Sequence, residues 1–151
     1  MLDRAVERVQ PQTTGTVTAI QSDIRELDFG PQQFDIILAS AVLHHLRTDA
    51  EWRSVFQKFH DLLFPGGSIW IFDLVESDIP EVQNILWRQY GEYRDSTQGK
   101  EYRQTMFEHI IAEDTPRSVP FQLDLLRSVG FRKVEILHKR SCYAAFGAVK
   151  C

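Results

Sequence analysis

The chain has 151 residues, enough for one domain with a sizeable core, and a formal net charge of −4. Its composition, 43% hydrophobic, 11% aromatic and 25% charged, is ordinary for a soluble protein. The acidic balance argues against a broad nucleic-acid-binding face. No apolar run approaches the roughly 20 residues that cross a bilayer. The amino-terminal stretch lacks the apolar centre of a signal peptide, so the sequence predicts a soluble, cytoplasmic protein without membrane contact.

The two cysteines carry little information about function. Cys142 lies in an apolar, strand-like run and Cys151 is the last residue. Neither a metal-binding spacing nor a disulfide framework is suggested. We therefore expect ordinary thiols in a reducing compartment, and the sequence predicts no metal site.

The first predicted elements are an amphipathic helix over Met1–Gln10 and a short β-branched strand over Thr16–Ile20. Pro11 ends the helix, and Gly15 precedes the strand. No cap residue comes before the helix. We therefore expect that the domain has further residues before Met1 and that the chain is truncated at its amino end.

The apolar run Phe34–Ala39 is the predicted centre of the sheet. It has no polar alternation, which predicts a strand buried on both faces. A helix over residues 48–63 and a second buried strand over Ser68–Val75 follow. Strand, helix and strand at this spacing predict two parallel strands joined by a crossover helix. The small residues Ala39–Ala41 leave room for a ligand at the carboxyl end of the first strand, where open α/β sheets bind ligands.

Residues 79–112 interrupt this pattern, because they are rich in charged and aromatic side chains. We predict two helices there, over about Glu81–Asp95 and Lys100–Ala112, that form an inserted cap. Aromatic residues in such a cap most often serve packing.

The chain ends in a helix closed by Gly130 and two apolar runs, 131–138 and 142–149. The connection Lys139–Ser141 is too short for a parallel crossover, so these two strands must be antiparallel. The predicted fold class is α/β: an incomplete, doubly wound, mostly parallel sheet that ends in an antiparallel hairpin and carries a small helical cap insertion.

Four short motifs follow one another between Thr16 and Lys150: Ser22-Asp23-Ile24, Ala39-Ser40-Ala41 with Leu43-His44-His45-Leu46, Leu63-Phe64-Pro65-Gly66-Gly67, and Ser128-Val129-Gly130-Phe131. In this order they resemble the motifs of the S-adenosylmethionine-dependent methyltransferases with the Rossmann-like fold. The resemblance implies S-adenosylmethionine as the cofactor and a small-molecule or nucleoside methyl acceptor. A nicotinamide dehydrogenase fragment does not fit, because such folds lack the terminal hairpin.

The resemblance also implies roles for individual residues. Asp23 would accept a hydrogen bond from the adenine amino group, and the backbone of Ile24 would contact the ring. The residues implied to lie under the methionine part are Ala39, Ser40, Ala41 and His45. The residues alone also allow Asp23 to be a loop acid that caps local backbone amides.

No catalytic base is assigned from the sequence. Transfer from a sulfonium is an in-line displacement that depends mainly on positioning donor and acceptor. His44 or His45 could act as a base, and Glu108, His109 and Asp114 are weaker candidates. The alternative is that one histidine packs and the other caps a helix.

The region Arg103–Ala112, the step Gly130-Phe131 and the run Ala145–Lys150 are similar to the enzymes of wobble-uridine oxyacetate modification in transfer RNA. On that similarity Arg103, beside Tyr102, would hold a substrate carboxylate, because guanidinium binds carboxylate in a bidentate manner. The alternative for Arg103 is a solvated helix face.

The glycine-rich loop of the family has no counterpart, since the eight glycines form no GxG pattern. Met1-Leu2 aligns with the helix that follows the family's second strand. We therefore expect residues 1–151 to be a single methyltransferase-like domain that lacks its first two strands.

Loss of the first strand would leave buried donors and acceptors unpaired at about 1–3 kcal/mol each. We expect the chain to form a homo-oligomer through this open edge. The alternative to an enzyme is a non-catalytic or partner-dependent remnant that does not bind the cofactor.

Overall fold

The structure, a computed structural model, describes residues 2–151 as a four-stranded mixed sheet flanked by helices. The helices are α1 (Leu2–Val9), α2 (Asp49–Leu62), α3 (Pro80–Gln98), α4 (Lys100–Glu113) and α5 (Val119–Ser128), with short 3₁₀ helices at Gln10–Gln12 and Leu43–His45. The strands are β1 (Phe34–Ser40), β2 (Leu63–Leu74), β3 (Lys133–Arg140) and β4 (Tyr143–Val149). The sheet order is β1-β2-β4-β3; β1 and β2 are parallel, and the other two pairs are antiparallel. The predicted α/β class with a terminal antiparallel hairpin is confirmed.

Helix α2 makes the predicted crossover between the two parallel strands. Its start is fixed by a capping box, in which Thr48 Oγ1 accepts from the Glu51 N–H at 3.2 Å and the Glu51 carboxylate accepts from the Thr48 N–H at 3.1 Å. One face of the helix is apolar and packs into the main core. Its buried residues are Trp52, Val55, Phe56, Phe59 and Leu62.

The hairpin brings β4 into the middle of the sheet, between β2 and β3. Gly147 of β4 faces Trp70 of β2 across the ladder. A Cβ at this position would overlap the Ile69 carbonyl oxygen and lie 2.6 Å from Trp70 Cε3. Glycine is therefore required for the close approach of the two strands.

The two faces of β1 have different environments. Ala39 is buried in the main core, whereas the side chains of Ile36 and Leu38 are 61% and 75% exposed. Successive strand residues point to opposite faces, and among residues 2–151 the helices cover only the Ala39 side. The prediction that this strand is buried on both faces is wrong, because an apolar run records the composition of a strand and not whether a second layer covers it.

The predicted strand over Thr16–Ile20 is also wrong. These residues are mostly exposed and have no regular secondary structure. A strand is stabilised by its ladder and its packing, and within residues 2–151 no strand lies beside this segment to pair with it. The helix predicted over Met1–Gln10 is present as α1 over Leu2–Val9, and Gln10 begins the 3₁₀ helix that follows; Met1 lies outside the described residues.

Helices α3 and α4 lie within the segment for which the sequence predicts two cap helices, and they build a small second core with the end of β2. Its buried residues are Leu74, Tyr90, Ile110 and Cys142. No helix within residues 2–151 is both long enough and apolar enough to cross a membrane, including α3 with its 19 residues.

Candidate functional site

The candidate site lies at the carboxyl end of β1, where the chain turns sharply. Ala39 is buried, Ser40 is exposed, and Ala41 adopts a left-handed conformation with φ of 50°. The Ala41 N–H donates to the Phe72 carbonyl at 2.8 Å, which fixes the turn against β2. A non-glycine residue at positive φ is strained, and such residues cluster at functional sites.

Asp73, near the end of β2, organises the segment that follows this turn. Its buried carboxylate accepts from the backbone N–H of Leu43 at 2.7 Å and of Leu74 at 2.7 Å. The Nδ1 of His44 lies against the same carboxylate, and the His44 N–H donates to it at 3.3 Å. One buried acid therefore fixes both the backbone and the ring of His44.

Asp114, at the carboxyl end of α4, joins the two histidines from the cap side. Its Oδ1 lies 2.9 Å from His45 Nδ1, and its Oδ2 lies 3.9 Å from His44 Nε2. The Asp114 side chain is only 4% exposed, whereas that of His45 is 52% exposed. The acidic groups of the site are thus buried, and the site is accessible to solvent at His45.

Backbone contacts hold the Asp114 segment in place. The Thr115 N–H donates to the His44 carbonyl at 2.7 Å. The Arg47 guanidinium donates to the Ala112 carbonyl and to Thr115 Oγ1, each at 3.3 Å. The end of the cap is therefore fixed relative to the two histidines.

The charges around His44 favour its protonated form. Burial by itself lowers the pKa of His44, but the hydrogen bond with Asp73 and the charges of Asp73 and Asp114 outweigh burial and raise the pKa above its ordinary value of 6.5. The two carboxylates thus attract positive charge to this position.

Asp23 and Ile24 lie in a separate turn before β1. Asp23 Oδ1 accepts from the Arg25 N–H at 2.8 Å, and both carboxylate oxygens face the Arg25 guanidinium, the shortest contact being 2.6 Å. These hydrogen bonds lower the pKa of Asp23 to about 2. Lys58 Nζ donates to the Ile24 carbonyl at 2.9 Å, so this turn is anchored on α2. The contacts of Asp23 match the loop-acid alternative that the sequence left open.

Arg103 and Tyr102, the predicted substrate residues, lie on α4. Arg103 Nη1 donates to Asp95 at 3.0 Å, and its guanidinium lies over the Phe107 ring at 5.7 Å. Tyr102 is 45% exposed, 6.0 Å from the Arg94 guanidinium. The structure does not join them to the histidine cluster.

Sequence reasoning did not bring Asp73, Asp114 and the histidines together as one group. Asp73 ends a strand and Asp114 follows a helix, and both are far from His44 along the chain. The signal that could have found Asp73 is its position at the carboxyl edge of the strand parallel to β1, since neighbouring strand ends meet at one edge. Glu108 and His109 of α4, also weighed as bases, are exposed.

A concavity of about 600 Å³ lies at the opposite end of the sheet, near the amino ends of β1 and β2. Loop residues 27–32, α2 and Lys150 line it, and it contains none of the candidate cofactor residues. Because α/β sheets bind ligands at the carboxyl ends of their strands, we place the candidate site at the turn after β1.

Residues 1–67 match the family model described as a methyltransferase domain. The matched segment contains the Asp23 turn, β1, both histidines and all of α2. Among curated proteins, none matches the chain.

Solved methyltransferases have the same arrangement of helices and strands. One is the S-adenosylmethionine-dependent methyltransferase SibL, with 14% identity, a TM-score of 0.63, and coverage of 98% of this chain and 39% of that one. The chain has the S-adenosylmethionine-dependent methyltransferase fold. The resemblance seen in the motifs is thereby confirmed.

Two further structures share this methyltransferase fold. Human N-acetylserotonin methyltransferase in complex with SAM has 20% identity and a TM-score of 0.55, with coverage of 87% of this chain and 33% of that one. An O-methyltransferase family protein from Burkholderia thailandensis has 17% identity and a TM-score of 0.55, with coverage of 85% and 33%. The chain thus spans between 33% and 39% of the length of these three proteins.

Proposed function

We propose that the chain contributes to S-adenosylmethionine-dependent methyl transfer to a small-molecule or nucleoside acceptor. The observation that carries this proposal is the position of the family match: residues 1–67 include every residue proposed to contact the cofactor. Those residues are Asp23, Ile24, Ala39, Ser40, Ala41 and His45.

The turn after β1 supports the binding of a methionine-like group. Ala39 and Ala41 are small, Ser40 is exposed, and the backbone bends away from the sheet at Ala41. When bound, S-adenosylmethionine supplies an electrophilic methyl group on a sulfonium. The role we assign to this chain is to bind and orient the reactants, the main requirement of an in-line transfer. We assign no catalytic base.

The turn proposed to bind adenine, at Asp23 and Ile24, fits its ligand less well than the turn after β1. A carboxylate offers about four lone-pair sites, and those of Asp23 face the backbone N–H and the guanidinium of Arg25. An adenine amino group therefore has no free acceptor at Asp23 unless Arg25 moves. This contact favours the second candidate function, a non-catalytic or partner-dependent methyltransferase-fold remnant without cofactor binding.

Titration calorimetry with S-adenosylhomocysteine separates the two functions. We expect micromolar binding by the 151-residue chain, tighter binding by Arg25→Gln, which frees Asp23, and weaker binding by Asp23→Asn. Asp28→Asn is the matched control, since within residues 2–151 the Asp28 carboxylate accepts only from the Gly30 N–H, at 2.9 Å. No heat with the native chain and with Arg25→Gln would support the remnant.

We also propose that the chain lies in the cytoplasm as a homo-oligomer and is completed at the outer edge of β1. In residues 2–151 this edge pairs with no strand, and the Ile36 and Leu38 side chains beside it are more than half exposed. Open, apolar strand edges pair with further strands. On this proposal the single domain of residues 1–151 lacks the first two strands of the family, and a second copy covers the edge.

The acceptor is proposed to contact the cap formed by residues 79–112. Tyr102 and Arg103 are the residues we assign to it on the similarity to the wobble-uridine enzymes; they lie in the first turn of α4, at the end opposite Asp114. For Arg103 to hold a carboxylate, its ion pair with Asp95 must open.

A further inference from the structure

The two histidines and Asp114 form a compact group of metal-ligating side chains. One ligand atom from each lies within 4.8 Å of the other two. We propose that His44, His45 and Asp114 bind a divalent first-row transition metal such as Zn²⁺, with Asp73 supporting His44 from behind. Methyl transfer from a sulfonium does not require this metal, so the site goes beyond the function proposed above.

The distances suit a metal of this size. Zinc binds nitrogen and carboxylate oxygen at about 2.0–2.2 Å, so tetrahedral ligand atoms are separated by roughly 3.4 Å. The observed separations are 2.9 Å from Asp114 Oδ1 to His45 Nδ1 and 3.9 Å from the other carboxylate oxygen, Oδ2, to His44 Nε2. Small side-chain rotations bring both into the coordination range.

The hydrogen bonding of the His44 ring matches that of a metal ligand. Its Nδ1 donates to the buried Asp73 carboxylate, and its Nε2 faces Asp114. A metal ion would displace the proton that the two carboxylates favour on Nε2 and bind the lone pair left there. Histidines that ligate metals almost always donate their other ring N–H to a carboxylate or carbonyl in this way. Asp73 thus sets both the tautomer and the orientation of the ring.

Asp114 provides the independent observation that points to a ligand. Its side chain is 4% exposed, yet within residues 2–151 no hydrogen-bond donor is directed at its Oδ1. His45 Nδ1 is only 2.9 Å from this oxygen but does not have hydrogen-bond geometry. Buried carboxylate oxygens are nearly always satisfied, and a cation between the oxygen and the ring nitrogen would satisfy both.

Access to the site is through His45, whose side chain is 52% exposed. The segment that carries Asp114 is held by the bond from Thr115 to the His44 carbonyl and by the Arg47 contacts, so Asp114 and His44 are positioned before binding. Three protein ligands leave at least one position for water or another ligand. Two imidazoles and one carboxylate favour zinc, iron, cobalt or nickel over magnesium or calcium.

The test is metal binding by the 151-residue chain after treatment with a chelator, without cofactor or acceptor. We expect calorimetry with Zn²⁺ to give one site per chain with micromolar or tighter affinity. Co²⁺ should give the visible absorption of a bound, low-symmetry ion. His45→Gln and Asp114→Asn should each weaken Zn²⁺ binding at least tenfold.

The controls are His138→Gln, an exposed histidine on β3, and Asp124→Asn, an exposed acid on α5, both of which should bind Zn²⁺ like the native chain. If Asp114→Asn does not fold, Zn²⁺ binding by His45→Gln tests the proposal, because replacing the half-exposed His45 should not disturb the fold. Absence of 1:1 binding would mean that the cluster is an ion pair between imidazolium and carboxylates. Native-like affinity in His45→Gln would also overturn the proposal. Neither result depends on S-adenosylhomocysteine binding, so failure of this site and failure of the proposed function are distinguishable.

Discussion

The carboxylate of Asp73 lies against the ring of His44 and accepts a hydrogen bond from the same residue's backbone N–H. Asp73 of β2 is 29 residues from His44 in the chain, and its two contacts with His44 fix the turn after β1. Asp73 is fully buried, so the replacement Asp73→Asn removes charge-assisted bonds without changing the volume.

We expect Asp73→Asn to lower the free energy of unfolding by about 1.5–3 kcal/mol, the contribution typical of hydrogen bonds to charged groups. Urea unfolding followed by circular dichroism measures it. The control Asp124→Asn removes an exposed ion pair with Arg127 and should cost less than about 1 kcal/mol. Equal losses in the two variants would contradict the role of Asp73.

The ionisation of Asp23 tests the contact that competes with adenine. Arg25 lowers the pKa of Asp23 from 3.8 to about 2. Because this folded-state pKa lies below the unfolded value, the resulting stabilisation is present above pH 3.8 and is lost as the pH falls towards 2. We expect a carboxyl ¹³C titration to give a midpoint near 2, and Arg25→Gln to return it towards 3.8. A midpoint near 3.8 in the native chain would show that Arg25 does not hold the carboxylate in solution.

Gly147 tests the strand register in the middle of the sheet. We expect Gly147→Ala to lower the free energy of unfolding by about 1–3 kcal/mol, since the added methyl group overlaps the backbone of β2. Gly15→Ala is the control, because it is exposed and its Cβ would meet only Thr13 Oγ1 at 3.3 Å; it should change stability by less than about 0.5 kcal/mol. Both are measured by urea unfolding, and a neutral Gly147→Ala would mean that β4 does not lie against β2 in this register.

The open edge of β1 predicts self-association. We expect light scattering coupled to size-exclusion chromatography to give a mass above that of one chain, and Leu38→Lys to shift it to the monomer, because the lysine charge cannot be buried in a strand interface. Leu137→Lys places the same charge on β3, at the other edge of the sheet, where the side chain is 58% exposed. Two results would contradict an interface at the edge of β1: a native chain that is a stable monomer, or a larger decrease in mass with Leu137→Lys than with Leu38→Lys.

The sequence by itself determined most of the local elements. Thr48 and Glu51 encode the start of α2 because a capping box needs only residues three apart. The short turn after Lys139 allows only an antiparallel pair, and the hairpin has that direction. The order of the motifs was sufficient to recognise the methyltransferase fold.

Only the tertiary structure decided what covers each element and which distant side chains meet. Thr16–Ile20 has strand-forming residues but no strand beside it, and Leu38 is apolar but exposed, because pairing and burial depend on neighbours rather than on the segment itself. The meeting of Asp114 with His44 and His45 likewise follows from how α4 ends over the carboxyl edge of the sheet. No local pattern encodes such a contact, since it depends on the packing of the whole cap.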